Sequence, residues 1–277
     1  MSSLALIPKA KALRSIALNA SKAIGISTRV RGCSRHLAND GIARTADRAM
    51  ATYSLLKPHL GETRGKRGLE IGPGDNLALA ECFLANGAGR MLCVEQFPTT
   101  QRNHAIGNLI HQRLGSVRRT SPELRIAKFE TVSASVDFCY SVDVLEHVDD
   151  VRGVMRHHAK ILRPGGVGVH AVDFSGHNAF AGTDIDFLTC PDWAWNLMHS
   201  HLITSNRLRP SQVTGAALDA GLEVEQVVPT RTVTVERVEE LRAKLNPRFA
   251  NLPADELRIL EAIVVLRAPA TSGRGIN

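Results

Sequence analysis

The chain has 277 residues, enough for one large domain or two small ones with an ample core, and it lacks any run of about 18 apolar residues that would span a membrane. Its net charge of +7 is uneven: residues 1–66 carry 12 Lys/Arg against three acids, and the remainder carries 22 basic against 24 acidic residues. The basic character therefore belongs to an amino-terminal arm, and no aromatic residue precedes Tyr53, which argues against stacking on nucleic acid.

In the arm, Leu4 to Arg31 mixes Leu, Ile and Ala with Lys9, Lys11, Arg14, Lys22, Arg29 and Arg31. Three readings stay open: a helix lying on anionic lipid, a transit peptide, or a loosely held helix with a solvated basic face. A second helical pattern from Asp47 to Leu60, with Met50, Tyr53 and Leu56 on one side, leads through a polar linker into the domain. The expected division is an arm over 1–60, a domain over 61–270 and a flexible tail over 271–277. Five cysteines (Cys33, Cys82, Cys93, Cys139, Cys190) show no CxxC spacing and read as reduced thiols of a cytoplasmic protein, with peripheral membrane contact through the arm.

An apolar strand from Arg67 to Ile71 runs into Gly72-Pro73-Gly74-Asp75-Asn76, and an Ala/Leu-rich helix leaves the turn. Glycine lets backbone approach a ligand and adopt positive φ, and Asp75 and Asn76 are residues that cap helices. A pyrophosphate fingerprint would have its third glycine where Leu77 stands, and Glu70 and Asp75 would repel it. The turn suits a cofactor with a cationic centre and an ammonium group. The next strand, Arg90 to Glu95, ends in an acid 23 residues beyond Gly72, the place from which ribose hydroxyls are held.

Residues 99–115 read as a helix with Ile106, Leu109, Ile110 and Leu114 on one face. Leu124 to Val132 is the only candidate for a third strand. Ser135 to Val142 is a fourth strand, followed by Asp143-Val-Leu-Glu-His147-Val and a helix over 149–162. Arg163-Pro-Gly-Gly166 reads as a turn and Val167 to Val172 as a fifth strand. Alternating strands and helices with short connections predict an α/β sheet with helices on both faces.

Four motifs in this order, Leu-Glu-Ile-Gly-Pro-Gly (69–74), Val-Glu (94–95), Ser-Val-Asp-Phe…Val-Leu-Glu-His-Val (135–148) and Leu-Arg-Pro-Gly-Gly-Val (162–167), resemble class I S-adenosylmethionine-dependent methyltransferases. The resemblance covers roughly 65 to 230. It implies a Rossmann-like, doubly wound, seven-stranded sheet, mostly parallel with an antiparallel last strand, for which Leu222–Val228 and Ile259–Leu266 are suited. It also implies that Glu70, Gly72, Pro73, Gly74, Asp75 and Asn76 bound the methionine end of the cofactor, with Glu70 holding its ammonium directly or through water. Glu95 would take the ribose, Gln96 would sit near the adenine, and Ser141, Val142, Asp143 and His147 would shape the sulfonium side. The stretch from His170 to Leu222, with Trp193-x-Trp195-Asn and Asn206-Arg-Leu-Arg209, resembles a bacterial subgroup met among glycan and envelope biosynthesis proteins.

An oxygen or nitrogen acceptor calls for a general base. His170, Asp173 and His177, around the end of the fifth strand, are the candidates, with His170 as a core-bonded strand histidine the competing reading. The same three residues suit divalent ions, but their spacing matches no standard signature and no metal is expected. Trp193, Trp195, Phe180 and Phe187 are expected to wall the acceptor pocket, with core packing the alternative. Arg207 and Arg209 are expected either to bind an anionic acceptor group or to brace the loop. At helical spacing His158 falls in line with Val151, Val154 and Met155, so it is expected to be packed and His157 solvated.

The expected activity is methyl transfer from S-adenosylmethionine to a small-molecule or glycan acceptor, at oxygen. The alternatives are an N- or C-methyltransferase of a secondary metabolite or lipid-linked intermediate, or a non-catalytic cofactor-binding protein. No Asn/Asp-Pro-Pro-aromatic tetrad follows the fourth strand, where Ser141-Val-Asp-Val stands; this argues against a nucleic-acid adenine as acceptor.

Overall fold

Apolar runs flanked by turn residues become strands when both faces of a sheet are covered. The computed structural model describes residues 41–97, 104–176, 185–198 and 205–270. Among these, seven strands form one sheet: β1 Arg67–Ile71, β2 Arg90–Glu95, β3 Glu123–Ile126, β4 Val136–Val142, β5 Leu162–Asp173, β6 Glu223–Thr232 and β7 Ile259–Arg267. Their order is β3-β2-β1-β4-β5-β7-β6. β1 to β5 pair parallel, and β7 runs antiparallel to both β5 and β6. This is the expected doubly wound, mostly parallel sheet. Strand order reverses between β1 and β4, which makes the crevice at their carboxyl ends the switch point where ligands bind in such sheets.

Successive strand residues point to opposite faces. One face packs under α1 (Ile42–Leu60), α2 (Ala78–Ala85) and α3 (His104–Arg113), around Phe83, Met91, Phe138 and Tyr140. The other packs under α4 (Val151–Ile161) and α6 (Pro210–Asp219), around Leu69, Val94, Cys139 and Met155. A third apolar cluster, built on Phe187, Trp195, Phe249 and Leu260, joins α5 (Asp192–Met198) to α7 (Val235–Arg242), α8 (Pro247–Ala250) and α9 (Ala254–Leu257). It reaches the sheet at the start of β7, which lies beside the carboxyl end of β5 because Glu261 pairs with Asp173.

Three boundaries differ from expectation. Helix α1 buries Thr45, Ala46, Ala49, Tyr53, Leu56 and Leu60 in the main core. The packed domain therefore begins at the start of α1 and not at residue 61; residues 1–40 and 271–277 lie outside the described residues. β3 is a short edge strand that stops at Ile126, and a 3-10 turn at Phe129–Thr131 replaces the rest of the expected strand. Arg163-Pro-Gly-Gly166, expected as a turn, is instead an irregular stretch inside β5: pairing with β4 at Leu162 lapses and resumes at Val167, with Gly165 at φ 75°. The four described cysteines, Cys82, Cys93, Cys139 and Cys190, are free and buried.

Candidate functional site

β1 delivers the chain to the glycine turn at the switch point. Gly72 and Gly74 have φ of 66° and 69°, conformations that a Cβ penalises. The Gly72 N–H donates to the Val94 carbonyl at 2.9 Å. A Cβ on Gly72 would stand 2.7 Å from Val144 Cγ2, so packing as well as backbone conformation demands glycine there. Glu95, at the end of β2, accepts the Gly74 N–H at 3.0 Å on one carboxylate oxygen and the Phe97 N–H at 3.0 Å on the other. It thus pins the turn to β2, and each oxygen keeps a second lone pair. Burial raises its pKa, and the Phe97, Gly74 and Gln96 amides pull it back. Asn76 Oδ1 accepts the Ala78 N–H at 3.0 Å and opens α2; Pro73 is buried, Asp75 half-buried and Gln96 exposed.

Glu70 is placed differently from expectation. Its side chain points into the α1–α3 face, where Tyr140 Oη donates to it at 3.2 Å and Cys93 Sγ at 3.6 Å. It is 2% exposed, and burial pushes its pKa up to about 8 against the help of these donors. Glu70 thus lies behind the glycine turn, buried and largely neutral near pH 7.

At the end of β4 the expected roles also divide. Ser141 points into the α4 face, fully buried, with its Oγ 2.9 Å from His170 Nδ1. Val142 packs into the opposite core. Neither side chain lines the crevice. Asp143 follows the strand at φ 53°, a left-handed conformation that Asp tolerates better than most residues, with its N–H donating to the Ala171 carbonyl at 3.0 Å. His147 is half-buried on a 3-10 turn, Leu145–His147.

The base unit built on His170 and Asp173 does not form. Residues three apart on a strand face opposite ways. His170 is fully buried under α4, with its ring 4.7 Å from His158. Asp173 faces the other side, accepts the Ser175 N–H at 2.7 Å and lies 3.9 Å from Arg231. Burial lowers both histidine pKa values, that of His158 to about 4 and that of His170 well below the usual range. The core reading of His170 is therefore the observed one, and His177 lies outside the described residues. His158 is packed as its spacing predicts. His157 is not solvated: its Nε2 donates to the Val132 carbonyl at 2.9 Å and its ring meets Phe129 edge-on.

The expected acceptor wall is corrected as well. Trp195 and Phe187 are core residues of the third cluster, only Trp193 is exposed, and Phe180 lies outside the described residues. Arg207, 1% exposed, donates to the Cys190 carbonyl at 2.7 Å and to Asp192 at 2.6 Å, and stacks 4.7 Å over Trp195. Arg209, fully buried, donates to the carbonyls of Phe174, Glu256, Leu257 and Ile259. Both brace the loop and neither faces an acceptor.

The residue that sequence reasoning passed over is Glu146. It is 2% exposed on the turn after β4, and neither carboxylate oxygen has a hydrogen-bond partner. The signal for it was an acid inside the apolar Val-Leu-Glu-His-Val run.

The arrangement at the switch point is a glycine turn held by Glu95 at the ends of β1 and β2, with Asp143 and Glu146 following β4 and Asp173 ending β5. That donor set suits a cationic ligand bearing a ribose and not a pyrophosphate. A family model described as a methyltransferase domain matches residues 42–227. No curated protein matches the chain in sequence. Among solved structures, Haemonchus contortus phosphoethanolamine N-methyltransferase 2 in complex with S-adenosyl-L-methionine is similar at TM-score 0.52 and 13% identity, over 91% of this chain and 59% of that one. The [4+2]-cyclase SpnF is similar at TM-score 0.50 and 15% identity, over 96% and 99%. An S-adenosylmethionine dependent methyltransferase from Mesorhizobium loti reaches 0.48 and 16%, over 82% and 100%. At such identities the likeness is one of fold.

Proposed function

The chain belongs to the methyltransferase-domain family that its residues 42–227 match, and from that membership we propose that it transfers the methyl group of S-adenosylmethionine to a small-molecule acceptor. The observation that carries the cofactor site is the Glu95 carboxylate tied to the Gly74 and Phe97 amides at the switch point. Bound there, the cofactor supplies a methyl group already activated on sulfur, so the protein's part is alignment and exclusion of water. Glu95 would accept the ribose hydroxyls with its remaining lone pairs. Gly72 and Gly74 would let backbone approach the methionine end, and Asp143 would face the sulfonium. Glu70 would act from behind the turn, through Tyr140 and the start of α2.

A general base would serve an oxygen or a nitrogen acceptor alike, and the His170–Asp173 pair does not supply one. A glycan or other small molecule remains the acceptor class, since Ser141-Val-Asp-Val stands where amino-directed nucleic-acid enzymes carry an Asn/Asp-Pro-Pro-aromatic tetrad.

The test is calorimetry with S-adenosylmethionine, joined to an assay for S-adenosylhomocysteine release over an acceptor panel. Glu95→Ala removes charge-assisted hydrogen bonds of about 1.5–3 kcal/mol, so cofactor affinity should fall about ten- to hundredfold. Unchanged affinity would place the cofactor elsewhere. Cofactor binding without release on any acceptor would instead favour a chemistry other than methyl transfer, and the [4+2]-cyclase SpnF, similar in fold, is named for a different reaction.

The basic arm supports peripheral membrane contact, each cation near an anionic surface contributing about 1 kcal/mol. Deleting residues 1–40 is expected to weaken sedimentation with anionic liposomes and to leave cofactor affinity unchanged. Equal sedimentation of both forms would remove the anchoring role.

A further inference from the structure

The turn after β4 is held more firmly than its own length can account for. It is a single 3-10 turn, Leu145–His147, closed by the His147 N–H to the Val144 carbonyl at 2.9 Å and the Val148 N–H to the Leu145 carbonyl at 3.3 Å. Bonds of this kind are poorly aligned and hold a short turn weakly. The remaining hold comes from Asn206, 61 residues from Leu145 and 58 from Val148 along the chain. The Asn206 N–H donates to the Glu146 carbonyl at 2.7 Å, and its Nδ2 donates to the Leu145 and Val148 carbonyls at 2.8 Å each. Its Oδ1 accepts the Leu208 N–H at 3.0 Å. An asparagine side chain has two N–H donors and one carbonyl oxygen. Both donors are spent on the turn, and the oxygen is spent on Asn206's own segment.

That segment can hold the turn because it is itself pinned. Arg207 sits at φ 60°, a left-handed conformation that arginine rarely adopts. It grips the Cys190 carbonyl and Asp192, with its guanidinium over Trp195. Arg209 binds the carbonyls of Phe174, Leu257 and Ile259, and its N–H donates to Gln212 in the first turn of α6 at 3.0 Å. Residues 206–209 are therefore anchored to α5, α6, α9 and the start of β7, and they turn one amide side chain toward the end of β4. What this side chain steadies lies against the cofactor turn. Val144, whose carbonyl closes the 3-10 turn, has its Cγ2 2.7 Å from where a Cβ on Gly72 would stand, so it packs directly on Gly72. Close-packed contacts of this kind pass a displacement on instead of absorbing it.

We propose that Asn206 is a positioning residue for the cofactor turn: it sets the turn after β4 and, through Val144, the placement of Gly72. Cofactor affinity is thereby tied to a segment anchored on the helices that follow β5. The proposal rests on the cofactor reading above and adds to it a residue that acts through another.

The test is calorimetry with S-adenosylhomocysteine on wild type, Asn206→Asp, Val144→Ala and the double variant, at a temperature where circular dichroism shows each fully folded. Asn206→Asp keeps the size and the acceptor for Leu208, and it replaces both donors by oxygen facing the Leu145 and Val148 carbonyls. Affinity is expected to fall about tenfold in Asn206→Asp and to fall similarly in Val144→Ala. It should fall no further when the two are combined, because both act on one contact. Unchanged affinity in Asn206→Asp beside a lowered urea midpoint would overturn the proposal and leave Asn206 a structural residue only. Losses that multiply in the double variant would overturn it as well. Should Asn206→Asp fail to fold, Asn206→Ser, which sets no charge against the carbonyls, takes its place with the same expectations. A wild type that does not bind S-adenosylhomocysteine would instead strike the cofactor reading, before any variant is compared.

Discussion

Replacing Arg209 by methionine is expected to lower the unfolding free energy by about 3–5 kcal/mol, the largest loss from any single side chain discussed above. Its guanidinium donates to Phe174 O at 2.8 Å and to Glu256 O and Leu257 O at 3.1 Å, and it also reaches Ile259 O. Those carbonyls belong to the exit of β5, the last turn of α9 and the first residue of β7. A helix end collects negative partial charge, so a buried cation is favoured there. Methionine would fill much of the volume and leave the carbonyls facing apolar surroundings. Lysine keeps a charge but not the planar fork that serves several acceptors at once, so Arg209→Lys should recover only part of the loss. Urea midpoints for wild type and both variants measure the effect. A normal midpoint with a raised KM for an acceptor would restore the anion-binding reading that the geometry removes.

That reversal shows what the sequence exposed and what it hid. β1, β2 and β4 were legible because buried parallel strands are near-continuous apolar runs, and Glu95 was legible because its distance from Gly72 is set by one β-α-β unit. β3 was not: its Glu-Leu-Arg-Ile lies half-exposed at the sheet edge, and only pairing with β2 makes it a strand. Helix α1 was misassigned to the arm because Thr45, Ala46 and Ala49 bury it through small residues, which leave little hydrophobic signal. The His170–Asp173 unit failed on a rule already in hand, the two-residue period of a strand. Arg207 and Arg209 could not be placed from their type, since arginine is rarely buried unless paired, and their carbonyl partners lie 17 to 50 residues away. Glu146 was masked by its setting, one acid in a short turn whose neighbours matched a family pattern.

Three buried groups, His158, His170 and Glu70, give the fold opposite pH limbs, and the second large prediction concerns them. His158 is neutral in the folded chain, with a pKa of about 4 against 6.5 when free. Below 6.5 the unfolded chain therefore binds the extra proton. Stability is fully present above that pH and is lost as pH falls toward 4, by about 3 kcal/mol at about 1.4 kcal/mol per pH unit. His170, which meets it edge-on and is also held well below its usual range by burial, adds a loss of the same sign. Glu70 works the other way: its folded pKa of about 8 lies above 4.5. Its contribution is fully present below 4.5 and is lost as pH rises through 8, on the same order of magnitude. A few kcal/mol is a large part of a typical domain's 5–15 kcal/mol, roughly, so urea midpoints should fall on both sides of a maximum between pH 5 and 7, about. His158→Phe should flatten the acid limb by about one proton and leave the alkaline limb alone. Glu70→Gln should flatten the alkaline limb alone, because glutamine mimics the neutral acid beside Tyr140 and Cys93. If neither substitution changed its limb, the charges would be reaching water by local opening, and neither group would be held neutral by the packing that surrounds it.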